Sequence, residues 1–452
     1  MRLSRSRQSA AFIAILLCLA FTLGGCKLIS KDPNVDAKTV IAEVGGDTVT
    51  KGELTGPFAL MLSQYAQMYA MYGLSVDTSD AEFIKAVKES TLSSVTSQKV
   101  RAQQFASRGL ELTADEEAHA AADADEAYES WITSYVSSLQ QTTSSLSESA
   151  ARDQAIKELD TQGLTRDMIL QSARDVQISD KLKEEVTKDV TISDADIEAA
   201  ADTRRTEQKT KYDATPASYS TDAMNGLTIL YRPEGYRYVK NLLVGLPDET
   251  RTEIESINTQ LSNNAYNRYS LEQQKASFGT LTEADEQTFN SLLVSLDEID
   301  ADLNTQMADA LSKGKEQIKA RAEEALAAAK ADGADFDALI VKYGTDPGMQ
   351  EEPFKTTGYP VSESTTSFVT EFKDAAMALA KPGDISELVE TNNGYHIVQY
   401  ASDIPAGDVP TADVKDALSD ELLTARKDEQ YNQAMTDWTT AANIKTYISR
   451  WD

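Results

Sequence analysis

The sequence predicts a mostly α-helical base domain plus an α+β domain, a small antiparallel sheet with helices, that carries a long helical-hairpin insertion. Three observations predict it. From Ala81 to about Lys209 the chain is poor in Gly and Pro and rich in helix-forming residues, with helix-opening patterns at Thr113-x-x-Glu116 and Ser193-x-x-Asp196. Tyr236–Val244 and Ile385–Tyr400 instead read as strands, the second region punctuated by turns at Pro382-Gly383 and Asn392-Asn393-Gly394. Between these strand regions, Ile254, Ile257 and Leu261 recur at helical spacing, and Leu292, Leu296, Ile299, Leu303 and Met307 follow a 4-3-4-4 pattern.

The chain has 452 residues, enough for two or three domains with real cores. Its formal charge of −30 repels nucleic acid and anionic headgroups, so no nucleic-acid partner is expected. The two cysteines, Cys18 and Cys26, leave no thiol for catalysis or zinc, and no cofactor is implied. His119 lies among Asp115, Glu116 and Glu117 on a helix, the pattern of a solvated face, and no metal site is assigned.

In chain order, Arg2, Arg5 and Arg7 precede an apolar run from Ala10 to Leu23 that is short for a membrane span. Leu23-Gly24-Gly25-Cys26 resembles a bacterial lipobox, which makes residues 1–25 a signal peptide and Cys26 the lipidated residue. That implies an extracytoplasmic protein of the bacterial cell envelope, held to the membrane through its lipid. Residues 26–38 read as a flexible tether.

Residues 39–233 form the base. Val40–Val44 and Thr48–Thr50 read as two short strands around Gly45-Gly46. In the helix that follows, Phe58, Leu62, Tyr65, Tyr69 and Tyr72 share a face widened by Met61 and Met68. It reads as the core of a helical domain, with an adaptable surface for unfolded chains as the alternative. Thr133–Ser149, dense in Ser and Thr, reads as a loop or a weak helix.

Residues 234–402 form the second domain, with the insertion at about 247–314 and a hairpin turn near Phe278-Gly279-Thr280. Phe368–Leu379 reads as a short helix with Phe368, Phe372, Ala375 and Leu379 on one stripe. On the last strand His396 and Val398 share one face, and Tyr395, Ile397 and Gln399 the other. Residues 403–452 supply an amphipathic helix, Thr411–Thr440, and a final short strand that is expected to return to the base and pair with Val40–Val44.

The order of aromatic helix, Pro382-Gly383-Asp384-Ile385-Ser386, strand and Gly394-Tyr395-His396-Ile397-Val398 resembles the C-terminal half of a parvulin-type (PpiC) peptidyl-prolyl isomerase domain. Gly333-Ala334-Asp335-Phe336 through Tyr343-Gly344-Thr345-Asp346 is similar to the same family's preceding segment, the motifs together covering roughly 85 residues. The opening Val40–Thr50 resembles that of SurA-like and PrsA-like foldases.

The resemblance implies a site. Phe368, Phe372, Tyr359 and Met377 would bind the proline ring, and Asp346 would stand beside the twisting amide. Thr391 and His396 would belong to a hydrogen-bonded cluster below, with Asn241 where the family carries a further histidine. Asn241 can still donate and accept. The function implied is a lipid-anchored isomerase and foldase acting on unfolded or proline-containing secreted proteins. The alternative is a catalytically weak, parvulin-like holdase chaperone.

Overall fold

The computed structural model describes residues 33–71, 77–143, 146–278 and 281–451. The expected signal peptide, Cys26, Tyr72 and the turn residues Gly279-Thr280 lie outside them. The chain divides into two compact units. One is built from the chain through Thr191 together with Leu423–Asp452, the other from Ile192–Leu422.

The first unit opens with a helical turn, α1 (Pro33–Asp36). The end of the expected tether is therefore structured: Asp36 pairs with Lys51 at 2.9 Å, and the Gly52 amide donates to the Ala37 carbonyl at 2.8 Å. Strands β1 (Val40–Val44) and β2 (Asp47–Thr50) form an antiparallel hairpin. Helices α2 (Lys51–Met71), α3 (Ala81–Ser107), α4 (Ala114–Thr142), α5 (Glu148–Thr161) and α6 (Arg166–Thr187) follow. Thr113 caps α4 through a reciprocal capping box with Glu116, as its spacing predicts. Most of the Ser/Thr-rich stretch continues α4, because Tyr135, Val136 and Leu139 pack on a core of Ile132, Ala155, Leu159 and Leu164.

The Met/Tyr stripe of α2 packs inward at most of its positions. Phe58 meets Trp451 edge-on at 5.7 Å, Leu62 is buried, and Tyr65 and Tyr69 both pack edge-on against Phe83. Met68 is exposed.

The second unit begins with α7 (Asp194–Ala214), opened by the Ser193–Asp196 capping box, and α8 (Ala217–Met224). Both were expected in the base. They belong here because Tyr212 and Tyr219 stack edge-to-face in series with Tyr236, at centroid distances of 5.6 and 4.6 Å, beside Ile404. Next come β3 (Tyr231–Arg232), the central strand β4 (Arg237–Gly245), α9 (Asp248–Ser277) and α10 (Glu283–Ala329).

Helices α9 and α10 form the insertion's antiparallel hairpin, tied by Asn264 and Arg268 to Asp300 at 2.9 Å and by Lys275 to Asn290 at 3.2 Å. The expected seam is buried only near the root. Leu303 is buried, whereas Leu292 and Ile299 are nearly half exposed, since two helices alone cannot cover one another's apolar faces. The inserted helix also does not end at Gly314. It runs on as one 47-residue helix whose Ala322, Ala325 and Ala329 enter the domain core.

Then follow α11 (Phe336–Tyr343), α12 (Phe354–Thr357), β5 (Tyr359–Val361), α13 (Thr370–Ala378), β6 (Val389–Thr391) and β7 (Gly394–Asp403). The four-stranded antiparallel sheet has the order β5-β4-β7-β6. Asn241 pairs with Val398, and Leu243 with His396, so the period-2 alternation puts all four on one face. Of the expected strand Ile385–Thr391, only its end is ladder; Ile385 makes a single bridge to Gln399. At the β6–β7 turn Gly394 alone carries positive φ (133°), and a Cβ there would sit 2.3 Å from the Val244 carbonyl oxygen.

Strand β8 (Gly407–Asp408) pairs with β3. Helix α14 (Thr411–Ala441) serves both units, which corrects the expectation that residues 403–452 all return to the base. Val414, Leu418 and Leu422 pack with Ile197, Ala201 and Leu230 of the second unit. Further along, Tyr431 bonds Ser179 at 2.9 Å, and the Arg108 guanidinium lies 4.5 Å over the Trp438 ring. The last strand, β9 (Lys445–Thr446), pairs antiparallel with β1 at Ala42 and Glu43, as the sequence predicts.

Candidate active site

The site is built on the sheet face that carries Asn241, Leu243 and His396. Four polar side chains join end to end there. The Asn241 Nδ2 donates to Asp346 Oδ2 at 2.6 Å, and Asn241 Oδ1 lies 3.0 Å from His396 Nδ1. His396 Nε2 lies 2.9 Å from the Thr391 hydroxyl, whose oxygen accepts the Asn393 amide at 3.0 Å.

The chemistry of the ends sets the direction of every proton. An ionised carboxylate only accepts, so Asn241 turns its NH2 to Asp346 and its oxygen to His396. His396 therefore carries its proton on Nδ1, and Nε2 accepts from Thr391. Burial pushes the His396 imidazole down to about 4, against a smaller upward pull from the Asp346 charge, so the ring is neutral at pH 7. Asn241 and His396 are only 3 % and 5 % exposed, and the chain satisfies them both.

Asp346 follows α11 and caps the 3-10 turn Pro347–Gln350. Its Oδ1 accepts the Gly348 amide and the Tyr359 hydroxyl, each at 3.0 Å. Burial first, then the nearby Asp346 charge, push the Tyr359 hydroxyl up, which keeps it a donor. Gly348 is required here, because a Cβ would lie 2.0 Å from the Tyr359 hydroxyl oxygen and block its approach. Thr345 ties the segment to β4: its amide donates to the Leu243 carbonyl at 2.8 Å, and its hydroxyl oxygen accepts the Gly245 amide at 3.0 Å.

Above this chain lies a cavity of about 540 Å³ with Asn241, Asp346 and His396 in its lining and Tyr359, Phe368 and Phe372 among its walls. The aromatic rings run in series. Phe354, Tyr359, Phe368 and Phe372 have successive centroid distances of 5.2, 5.2 and 5.1 Å, and Phe372 meets His396 at 5.5 Å. Such a notch accepts a compact apolar ring beside a fixed carboxylate.

Seven of the eight residues expected in the site are thus brought together, with Thr391 beneath the cavity. Met377 does not line it: five residues beyond Phe372 on α13 it lies about 140° round the helix, half-buried against the core. Phe368 precedes α13 and reaches the cavity from the loop, while Phe372 and Ala376 form the helix's buried face. Sequence reasoning missed Leu243, which shares the face of Asn241, and Met349, whose sulfur accepts the Asn241 backbone N–H at 3.4 Å. It also missed Arg251, Ile254 and Glu255 of α9, although their i, i+3, i+4 spacing marks one helix face.

Residues 292–402 match the family described as Rotamase: PPIC-type PPIASE domain. The second unit carries a PPIC-type rotamase domain. The match begins inside α10, so β4 with Asn241 and α9 with its cavity wall lie outside the matched residues, yet the fold delivers both to the same cavity.

Foldase protein PrsA of Clostridium botulinum is 22 % identical over 448 residues, covering 97 % of this chain and 98 % of its own length. Foldase protein PrsA of Clostridium kluyveri is 28 % identical over 219 residues, 46 % of this chain and 56 % of that protein. The crystal structure of PrsA from Bacillus subtilis aligns over 90 % of this chain and 94 % of its own at 14 % identity, with a TM-score of 0.25, too loose a superposition to carry an argument. The chain is thus similar to PrsA foldases along its length, and its rotamase domain is of the parvulin type.

Proposed function

We propose that this protein is an extracytoplasmic, lipid-anchored peptidyl-prolyl cis-trans isomerase that assists the folding of secreted proteins. The observation that carries the reading is the aromatic notch floored by the Asp346–Asn241–His396–Thr391 chain. Rotation about an X-Pro bond faces a barrier of roughly 18–20 kcal/mol, because amide resonance must be broken. No covalent bond changes, so the site needs no nucleophile.

Phe368, Phe372 and Tyr359 hold the proline ring away from water. The planar amide is the more charge-separated form, so a water-poor wall favours the twisted amide relative to it. The hydrogen-bonded chain keeps the Asp346 carboxylate at one orientation beside the rotating bond, and neutral His396 positions Asn241 without adding charge. The extracytoplasmic placement and the lipid at Cys26 rest on the N-terminal pattern, and the likeness to PrsA foldases supports the client class.

The test is exchange spectroscopy on a proline tetrapeptide with the full chain in detergent. Wild type is expected to accelerate exchange, and Asp346→Ala to lose most of the acceleration. A second reading is favoured by Asn241 standing where the resembled family carries histidine: a holdase with a dulled site. No acceleration by wild type, with unfolded-protein binding retained, would establish it. For the anchor, labelling with a clickable fatty acid is expected to mark wild type and not Cys26→Ala.

A further inference from the structure

The insertion does more than project from the domain. The first turns of α9 supply one wall of the rotamase cavity through Arg251, Ile254 and Glu255. The Arg251 guanidinium is already held by Asp248, one turn earlier. The Glu255 carboxylate has no hydrogen bond or ion pair among the described residues, and Asp346 accepts its three hydrogen bonds from neutral donors. Arg251 is the one lysine or arginine in the lining, and His396 is neutral. The lining therefore carries two carboxylates against one guanidinium, a net negative wall, and that guanidinium is turned to Asp248.

Resting on the isomerase reading, we propose that α9 is a specificity wall, on which Glu255 selects proline segments carrying Lys or Arg next to the proline over those carrying Glu or Asp. A cation flanking a proline seated between Phe368 and Phe372 would gain attraction from Glu255 with Asp346 behind it. An acidic residue would meet repulsion at the same place. Ile254, half-buried between the charged pair, gives the aliphatic stem of such a cation an apolar surface.

The experiment compares Ala-Lys-Pro-Phe, Ala-Leu-Pro-Phe and Ala-Glu-Pro-Phe, and Ala-Ala-Pro-Lys against Ala-Ala-Pro-Glu, with the full chain in detergent. At low ionic strength kcat/KM is expected to favour Lys over Glu by about three- to fivefold at one position at least, and the ratio to fall toward one in 0.5 M salt. Glu255→Lys should invert the ratio. Glu253→Lys, on the same helix but outside the cavity lining, should shift it less. A ratio near one at both positions overturns the proposal, as does an equal response to the two charge reversals, which would reflect a general field. Should no peptide be isomerised, the isomerase reading fails. Peptide binding, followed by chemical-shift titration, then still measures the Lys-to-Glu ratio and decides the specificity wall by itself.

Discussion

The two units bury polar groups in different ways. In the first unit Thr91, Thr96 and Thr187 each turn the hydroxyl back to a carbonyl one turn earlier on the same helix, at 2.8, 2.8 and 2.5 Å. Nothing beyond the helix depends on those bonds. In the second unit Asn241, His396 and Thr391 are buried just as deeply, but they bond one another and Asp346 across three separate segments. Local hydroxyl bonds make a helix face tolerable in a core. A relay of side chains between segments incurs desolvation at every link, and here it ends at a carboxylate on a cavity floor. That contrast separates packing from site.

The largest expected break in it is Phe372→Ala. This side chain is core and wall at once, so the second unit should lose about 3–5 kcal/mol of stability, and proline-peptide turnover should disappear. Urea unfolding and exchange spectroscopy measure the two effects, and a loss under 1 kcal/mol would show that the ring is not packed as described. Next comes Asn241→Leu, which strands the His396 Nδ1–H and removes a donor from Asp346. Stability should fall by about 2–3 kcal/mol. A cost near zero would mean that the chain is not made in solution.

A smaller effect follows from pH. His396 is depressed in the folded state to about 4, against about 6.5 unfolded. Its contribution to stability is therefore complete above pH 6.5 and is lost as pH falls toward 4. Between pH 7 and 5 the second unit should lose roughly 2 kcal/mol, and the loss should shrink in His396→Gln. Proton NMR should show His396 titrating near 4, and a value near 6.5 for it would refute the burial. The smallest effect belongs to the first unit: Thr91→Val keeps the shape and removes a local bond, and should change stability by less than about 1 kcal/mol. A larger loss would erase the contrast.

The site was more legible in the sequence than the unit boundaries were. Pro382-Gly383, Gly394 and the alternation about His396 announce strands whose own side chains divide between two faces by a period of two, while the grouping of Asn241 with His396 follows from the family resemblance. Pro/Gly-rich breaks suggest divisions near residues 233 and 402, but α7 and α8, ahead of the first, and the start of α14, beyond the second, all belong to the second unit. Helical periodicity reports that a face will be buried, not what will bury it. Met377 failed for a related reason: proximity along the chain is not proximity round a helix.

By itself the sequence determined the elements, their caps and turns, the family resemblance and the set of side chains able to make a proline notch, because each of these is local chemistry read over a few residues. Only the tertiary structure decided that Asn241 turns its amide nitrogen to Asp346 and its oxygen to His396, and that an inserted helix carries Glu255 into the cavity wall. Those outcomes depend on pairings between residues tens to hundreds of positions apart. Strand register and helix packing select such pairings, and no local pattern encodes them.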